Sequence, residues 1–239
     1  MEKANIYYGN DKINFYVSRR EIKNINLKVT PESKVIVSAN NKVTIDYIKN
    51  FIRRKANWII KNVRYFNEYR PPVIEKKYES GESVKYLGRQ YRLKVTQDNN
   101  VSVKLTNGYI FLNVIDNKNT LHKKEILDNW YKEKARIKFN EIFDKLFPLI
   151  QKYEISKPKL AIRKMKTKWG SYSSKKNEIA LNTDIIKAPK YCIEYVILHE
   201  LIHVKYRNHD RKFHYFLTVL MPDWKKRKEI LDQVIIKEL

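Results

Sequence analysis

The residues with the clearest chemical potential lie in one stretch, Tyr195 to His209, which reads YVILHELIHVKYRNH. It holds His199, Glu200 and His203 in H-E-x-x-H spacing, with His209 six residues beyond His203. An α-helix turns about 100° per residue, so positions i and i+4 share a face. On a helix, His199 and His203 therefore aim their imidazoles at one spot. Two neutral imidazoles suit Zn2+, and a catalytic zinc has three protein ligands and a water. Glu200 reaches the metal-bound water rather than the metal, the place of a general base. The flanking residues Tyr195, Val196, Ile197, Leu198, Leu201, Ile202 and Val204 are apolar, which predicts a buried helix. Burying two histidines and a glutamate without partners is costly, and a metal relieves that cost. The competing reading is a core helix whose histidines are satisfied by hydrogen bonds.

The third ligand is open between two residues. His209 stands six residues after His203, the step found in H-E-x-x-H-x-x-G-x-x-H, but the glycine of that pattern is Tyr206 here. A glycine-made turn is therefore not expected, and a longer helix with a different exit, ending at Asn208, is. Met221 sits in Leu220-Met221-Pro222 at a helix junction and makes an unsuitable Met-turn. Glu229 is the rival, on a later helix. Imidazole is a preferred zinc donor, and three of the chain's five histidines fall within this one segment, which favours His209.

The elements that position these residues follow from periodicity. Ile13, Phe15 and Val17, then Ile25, Leu27 and Val29, alternate with polar residues as strands do, and Val35–Val37 is a short apolar run. Pro31-Glu32-Ser33 reads as a turn. A long helix follows, capped by Thr44, with Ile45, Ile48, Ile52, Ala56, Ile59, Val63 and Phe66 on one stripe. Its other side carries Lys49, Arg53, Arg54, Lys61 and Arg64, the best local candidate for an anionic partner. Pro71-Pro72 ends this region. Residues 82–115 read as an antiparallel meander turning at Gly88-Arg89, Asp98–Asn100 and Asn107-Gly108. A second long helix, about 121–150, carries Leu127, Tyr131, Ala135, Phe139, Ile142, Leu146 and Leu149 on its apolar stripe. Three short strands within 159–181 lead to Pro189, which suits the first turn of the motif helix. Two helices, about 211–220 and 223–238, close the chain. No internal repeat is visible.

The 239 residues allow one large domain or two small ones, and 43% hydrophobic with 32% charged residues describes a globular chain. No apolar run approaches a membrane span, the N-terminus lacks a signal-peptide pattern, and the single cysteine, Cys192, excludes an internal disulfide. A cytoplasmic location is expected, with Cys192 as a small buried apolar residue. The net charge of +24, from 50 basic and 26 acidic residues, invites a nucleic-acid partner of non-specific kind. The lysines are nevertheless spread along the whole chain, as a biased genome composition also produces.

From Arg163 to Leu231 the sequence resembles the YgjP-like metallopeptidases, which are similar to SprT-like and Wss1-like proteases. The resemblance is carried by Arg163 to Ser171 (RKMKTKWGS), Ile179-Ala180-Leu181-Asn182, Pro189, Tyr195 to His203, Asn208-His209, Phe213 and Pro222-Asp223. It implies a zincin domain with His199, His203 and His209 on zinc and Glu200 as base. Two departures stand out: where the family usually has Arg-Trp-Gly-Ser-Cys, this chain has Lys168-Trp169-Gly170-Ser171-Tyr172. Lysine keeps the charge but loses the planar fork, and a thiol role at Tyr172 is lost. Trp169, Gly170 and Ser171 are candidate substrate-binding residues, because a strand beside the motif helix can offer its edge to an extended peptide; plain packing of Trp169 is the alternative. Arg163, Lys168, Tyr172, Tyr206 and His214 are open candidates for polarising a substrate carbonyl.

The expected protein is α+β. A β-rich accessory region with a long helix occupies 1–118. A zincin-like domain, a small antiparallel sheet packed on the H-E-x-x-H helix, occupies 119–239. The expected activity is zinc-dependent peptide hydrolysis, with Glu200 activating a zinc-bound water. The alternative is a basic binding module, stapled by zinc, that engages nucleic acid or a nucleic-acid-associated protein.

Overall fold

The computed structural model describes residues 2–30, 33–68, 76–153, 155–165 and 168–238. Two of the expected boundary signals, Pro31-Glu32 and Pro71-Pro72, lie outside the described residues. The chain divides into two compact units, Met1–Ile74 with Ile235–Leu239, and Glu75–Val234.

The first unit is a sheet covered by helix. Strands β1 (Glu2–Tyr8), β2 (Asp11–Arg19), β3 (Asn26–Val29) and β4 (Val35–Ala39) pair in the order β1-β2-β4-β3. The β1–β2 and β3–β4 pairs are antiparallel and β2 runs parallel to β4. The alternation in β2 places Ile13, Phe15 and Val17 on one face, where they are buried with Val35, Val37 and Ala39. The predicted long helix is two pieces, α1 (Ile45–Arg54) and α2 (Ala56–Glu68), with Thr44 accepting from the Tyr47 N–H at the N-cap. Ile48, Ile52, Ala56 and Ile59 from its stripe are buried against the sheet residues in one core.

The second unit contains the motif. Strands β5 (Ser83–Tyr86), β6 (Arg89–Gln97), β7 (Ser102–Thr106) and β8 (Tyr109–Val114) are followed by α3 (Thr120–Gln151), β9 (Lys159–Arg163), β10 (Gly170–Ser173) and β11 (Glu178–Asn182). A 3-10 turn (Thr183–Lys187) then leads into α4 (Lys190–Ile202), α5 (Arg211–Leu220) and α6 (Trp224–Glu238). Strands β5 to β8 are not the antiparallel meander expected: their order is β5-β6-β8-β7, with β6 parallel to β8. Two hairpins folded side by side satisfy the same alternation as a meander, so periodicity does not separate them. The sheet nearest the motif is mixed rather than antiparallel, since β11 pairs antiparallel with β10 but parallel with β9.

The four-stranded sheet of the second unit has the strand order and directions of the first, and in each case helix follows in the chain. This topological repeat has no counterpart in the sequence, because each sheet asks only for an apolar face and fills it with different residues.

The expected boundary at 118/119 is not where the chain divides. Val84, Leu93, Ile110, Leu112 and Val114 of the β5–β8 sheet share one buried cluster with Leu127, Tyr131 and Phe139 of α3 and with Ile193, Ile197 and Leu201 of α4. Cutting at 118 would expose both sides of that core. Among the described residues, no helix is long and apolar enough to cross a membrane.

Candidate metal centre

α4 begins one residue later than Pro189 suggested: Pro189 is its N-cap, with its carbonyl accepting from the Cys192 and Ile193 N–H groups. Its position is fixed from outside by the β5–β6 turn. Leu87 N–H donates to the Ile186 carbonyl at 2.9 Å, and Gly88 N–H to that of Lys187 at 3.0 Å. Gly88 has φ +79, and a Cβ there would stand 2.8 Å from the Pro189 Cα. Only glycine allows this left-handed turn to sit so close to the helix start.

α4 also ends earlier than expected, at Ile202 rather than near Asn208. His203 keeps helical dihedrals as the C-cap, so the i, i+4 relation to His199 survives. The chain then turns through Val204–Lys205, and the Tyr206 N–H returns to the Ile202 carbonyl at 2.9 Å. The turn that a glycine makes elsewhere is made here by residues of ordinary backbone conformation. It aims the Tyr206 carbonyl at His203 Nδ1, 2.9 Å away. Asp210, next to His209, caps α5 by accepting from the Phe213 N–H at 2.9 Å. His209 is thus held between two fixed points.

The three imidazoles converge. His209 Nε2 lies 2.9 Å from His199 Nε2 and 3.1 Å from His203 Nε2. The fully buried Phe213 ring lies beneath them, its centroid 4.9, 4.7 and 4.8 Å from those of His199, His203 and His209. Burial lowers the pKa of all three histidines, that of His199 to about 3. They are therefore neutral at pH 7. His203 Nδ1 must carry the proton it shares with the Tyr206 carbonyl, so its Nε2 presents a lone pair to the cluster. Neutral imidazoles offering nitrogen lone pairs to one another about 3 Å apart repel unless a proton or a cation lies between them. The donor set fits a divalent metal such as zinc. Glu229 is exposed on α6 and does not belong to this cluster.

Glu200 projects beside the histidines, against β10. It is buried, and a Cβ on Gly170 would lie 2.7 to 2.9 Å from its Cγ, Cδ and Oε1. Burial pushes its carboxyl up to about 7, against the pull of the Lys168 ammonium and of the Tyr172 backbone N–H that donates to it. The predicted substrate residues Trp169, Gly170 and Ser171 do line the cleft with the histidines and Glu200. At Gly170 the missing side chain, which the sequence did not reveal as a requirement, leaves the space into which the Glu200 carboxylate fits. The cleft measures about 560 Å³ and also takes in Tyr195, Arg207, Lys228 and Asp232.

Asn182 is another residue whose role escaped sequence reading. Buried at the end of β11, its Nδ2 donates to the carbonyls of Met165 (2.8 Å) and Lys168 (3.1 Å), while its Oδ1 accepts from the Met165 and Asp184 N–H groups. It braces the approach to Trp169. A lone amide closing an apolar strand was the available signal. Cys192 is buried as expected, its thiol directed at the Arg227 carbonyl and pushed up to about 12 by burial. His214 is exposed and stacks on Trp224. Arg163 pairs with Glu178 at 3.6 Å, and the Tyr172 hydroxyl donates to Asn177.

Two crystal structures of metallopeptidase zymogens are similar to part of the chain: jannalysin of Methanocaldococcus jannaschii at 26% identity and abylysin of Pyrococcus abyssi at 21%. Each similarity covers 41% of this chain, and 96% and 91% of the respective neighbours, with a TM-score of 0.36. No curated protein matches the chain significantly. The model of the YgjP-like metallopeptidase domain matches residues 23–234, a span that takes in the whole second unit and the first from residue 23 to Ile74. The chain belongs to the YgjP-like metallopeptidase family.

Proposed function

We propose that the protein is a zinc-dependent metallopeptidase of zincin type, in which His199, His203 and His209 hold the metal and Glu200 is the general base. The observation that carries this reading is the pairing of three convergent imidazole nitrogens with a buried carboxylate outside their set. When bound, zinc supplies a Lewis acid that polarises the scissile carbonyl and makes a water acidic near neutral pH. The protein's own residues do the rest. Glu200, with a carboxyl titrating near neutrality, takes the proton of the attacking water on a carboxylate oxygen and passes it to the leaving amine. The Tyr172 N–H keeps the carboxylate oriented during both transfers.

Strand β10 pairs with β11 on one side and carries no strand on the other among the described residues. An extended peptide laid along that edge, past Trp169, Gly170 and Ser171, would run beside Glu200. A purely structural zinc site is closed by four protein ligands. The cluster found here offers three among the described residues, which supports an open position and hence the enzyme over the zinc-stapled module.

The test is Glu200→Gln. Glutamine keeps the shape and a hydrogen bond but accepts no proton at neutral pH. Zinc content and melting temperature should stay near those of the unaltered protein, and cleavage of unfolded protein substrates should fall about a hundredfold or more. Equal cleavage by both proteins at equal zinc loading would refute the assignment.

A further inference from the structure

The first unit presents a face that the peptidase reading does not use. α1 and α2 are separated at Lys55 (φ -105, ψ 5), whose carbonyl accepts from the Ile59 N–H at 2.9 Å as α2 begins. The buried positions nevertheless keep helical spacing from one helix to the next. Ile48, Ile52, Ala56 and Ile59 are buried on one side. On the opposite side Tyr47, Arg54, Trp58 and Lys61 follow at steps of seven, four and three residues, which places them on a single stripe. Tyr47 is 55% exposed and Trp58 47%. Of the cations around them, Lys49 is matched by Asp46 at 3.7 Å and Arg64 by Asp11 at 3.4 Å. Arg53, Arg54, Lys55 and Lys61 have no acidic partner among the described residues; Arg53 only donates to the Asn50 side chain.

Two open aromatic rings set among unmatched cations, on a helix whose apolar side is already occupied, suit a polymer with flat apolar faces and one negative charge per repeat. We propose that this stripe binds single-stranded nucleic acid, with bases stacked on Tyr47 and Trp58 and phosphates held by Arg54, Lys61 and the neighbouring Arg53 and Lys55. Tyr47 lies on α1 and Trp58 on α2, and eleven residues at the helical rise span at most about 16 Å, the reach of a few extended nucleotides. A single strand is required because paired bases keep their faces inside the stack, whereas an unpaired base can lie on an aromatic ring whatever its sequence. A lipid surface is the weaker match. An interfacial helix needs a free apolar face to insert, and here that face is buried under the β1–β4 sheet. The net charge of +24 adds long-range attraction for a polyanion. The inference does not depend on the peptidase assignment.

The experiment is fluorescence anisotropy of a labelled oligothymidylate titrated with the full chain. Binding should weaken steeply as salt rises. The double variant Tyr47→Ala/Trp58→Ala should bind about tenfold or more weakly, the scale of losing stacked bases, with zinc content unchanged. Lys61→Glu, which keeps both rings, should also bind less tightly and show a shallower salt dependence. Polyphosphate, which has the charge without the bases, should not distinguish the unaltered protein from the double variant. The proposal is overturned if the double variant binds oligothymidylate as well as the unaltered chain does, or if polyphosphate shows the same loss. It is equally overturned if the rings prove necessary for binding anionic phospholipid vesicles instead. Should the double variant melt early, Tyr47→Ala alone decides: an affinity equal to that of the unaltered protein rejects the stacking role.

Discussion

As the proposed general base, Glu200 answers two opposed demands. Its carboxylate must be dry enough to hold a proton near neutral pH, yet placed so that it contacts the reacting water and not the metal. Burial provides the first, and the missing side chain at Gly170 the second. Gly170→Ala puts a methyl carbon 2.7 to 2.9 Å from three atoms of that side chain, so Glu200 must swing or β10 must retreat. The expected outcome is a loss of peptide cleavage of about tenfold or more with the three histidines still loaded, read by parallel kinetics and elemental analysis. Zinc retention distinguishes this from collapse of the site. For the third ligand, His209→Ala should lose zinc sharply while Glu229→Ala keeps it, since Glu229 is exposed and outside the cluster. The reverse pattern in the same assay would reassign the ligand. At this scale the sequence was informative wherever the chemistry is local. His199, Glu200 and His203 share one helix, so spacing alone aligns them. The fit of Gly170 to Glu200 joins two separate elements, and no local pattern records it.

At the scale of elements, the helices were read most fully. The expected 121–150, 211–220 and 223–238 became Thr120–Gln151, Arg211–Leu220 and Trp224–Glu238, because a stripe repeating over several turns leaves little freedom. Strands were located but mispaired, since alternation tells which face is buried and not which neighbour is bonded. The motif helix was overextended because Asn208 looked like a stop, whereas the helix ends at Ile202 and the chain uses the Tyr206 carbonyl to hold His203. The β5–β6 turn offers a sharp test of how α4 is held. Gly88→Ala combines a left-handed backbone at φ +79 with a contact of 2.8 Å to Pro189. It should destabilise the second unit by about 2 kcal/mol or more, measured by denaturant melts. A stability equal to that of the unaltered protein would show that the turn is not a constraint on the helix.

The whole molecule is two bodies, and the division predicts which fragments survive. A chain of residues 76–234 retains the entire core around the histidines and should fold and take up zinc. One beginning at 118 discards Val84, Leu93, Ile110, Leu112 and Val114 from that core and should be insoluble or zinc-free. The imidazoles of the half-buried His199 and His203 and of the more exposed His209 set a pH limit as well. In metal-free protein His199 is held down to about 3 from an ordinary 6.5, mainly by burial, and His203 and His209 are lowered for the same first reason. The unfolded chain binds protons below about 6.5 that the folded chain refuses, so stability drains away as pH falls below that value. Glu200 acts in the opposite sense: raised from 4.5 to about 7, it favours the folded state at low pH and loses that contribution as pH rises through this window. Asp232, raised by burial, acts with Glu200, but the three lowered histidines, His199 most of all, outweigh the two carboxyls, so melts of chelator-treated protein should show a midpoint that drops as pH is lowered below about 6.5. A flat profile would mean that the imidazoles are not desolvated as described.

The hydrogen bonds from Leu87 and Gly88 to the carbonyls of Ile186 and Lys187 tie together parts of the chain made far apart in time during synthesis. The hairpin leaves the ribosome long before the segment it must grip exists, and closing so long a loop is slow relative to local helix formation. The helix that carries His199 and His203 can coil early, but its start is not clamped until this late closure occurs. In refolding from denaturant, acquisition of zinc should therefore lag behind the recovery of helical circular dichroism, and Gly88→Ala should lengthen that lag. The turn, lying outside the cleft, would then act as the timing element of the site, deciding when a chain that is already largely helical becomes able to hold its metal.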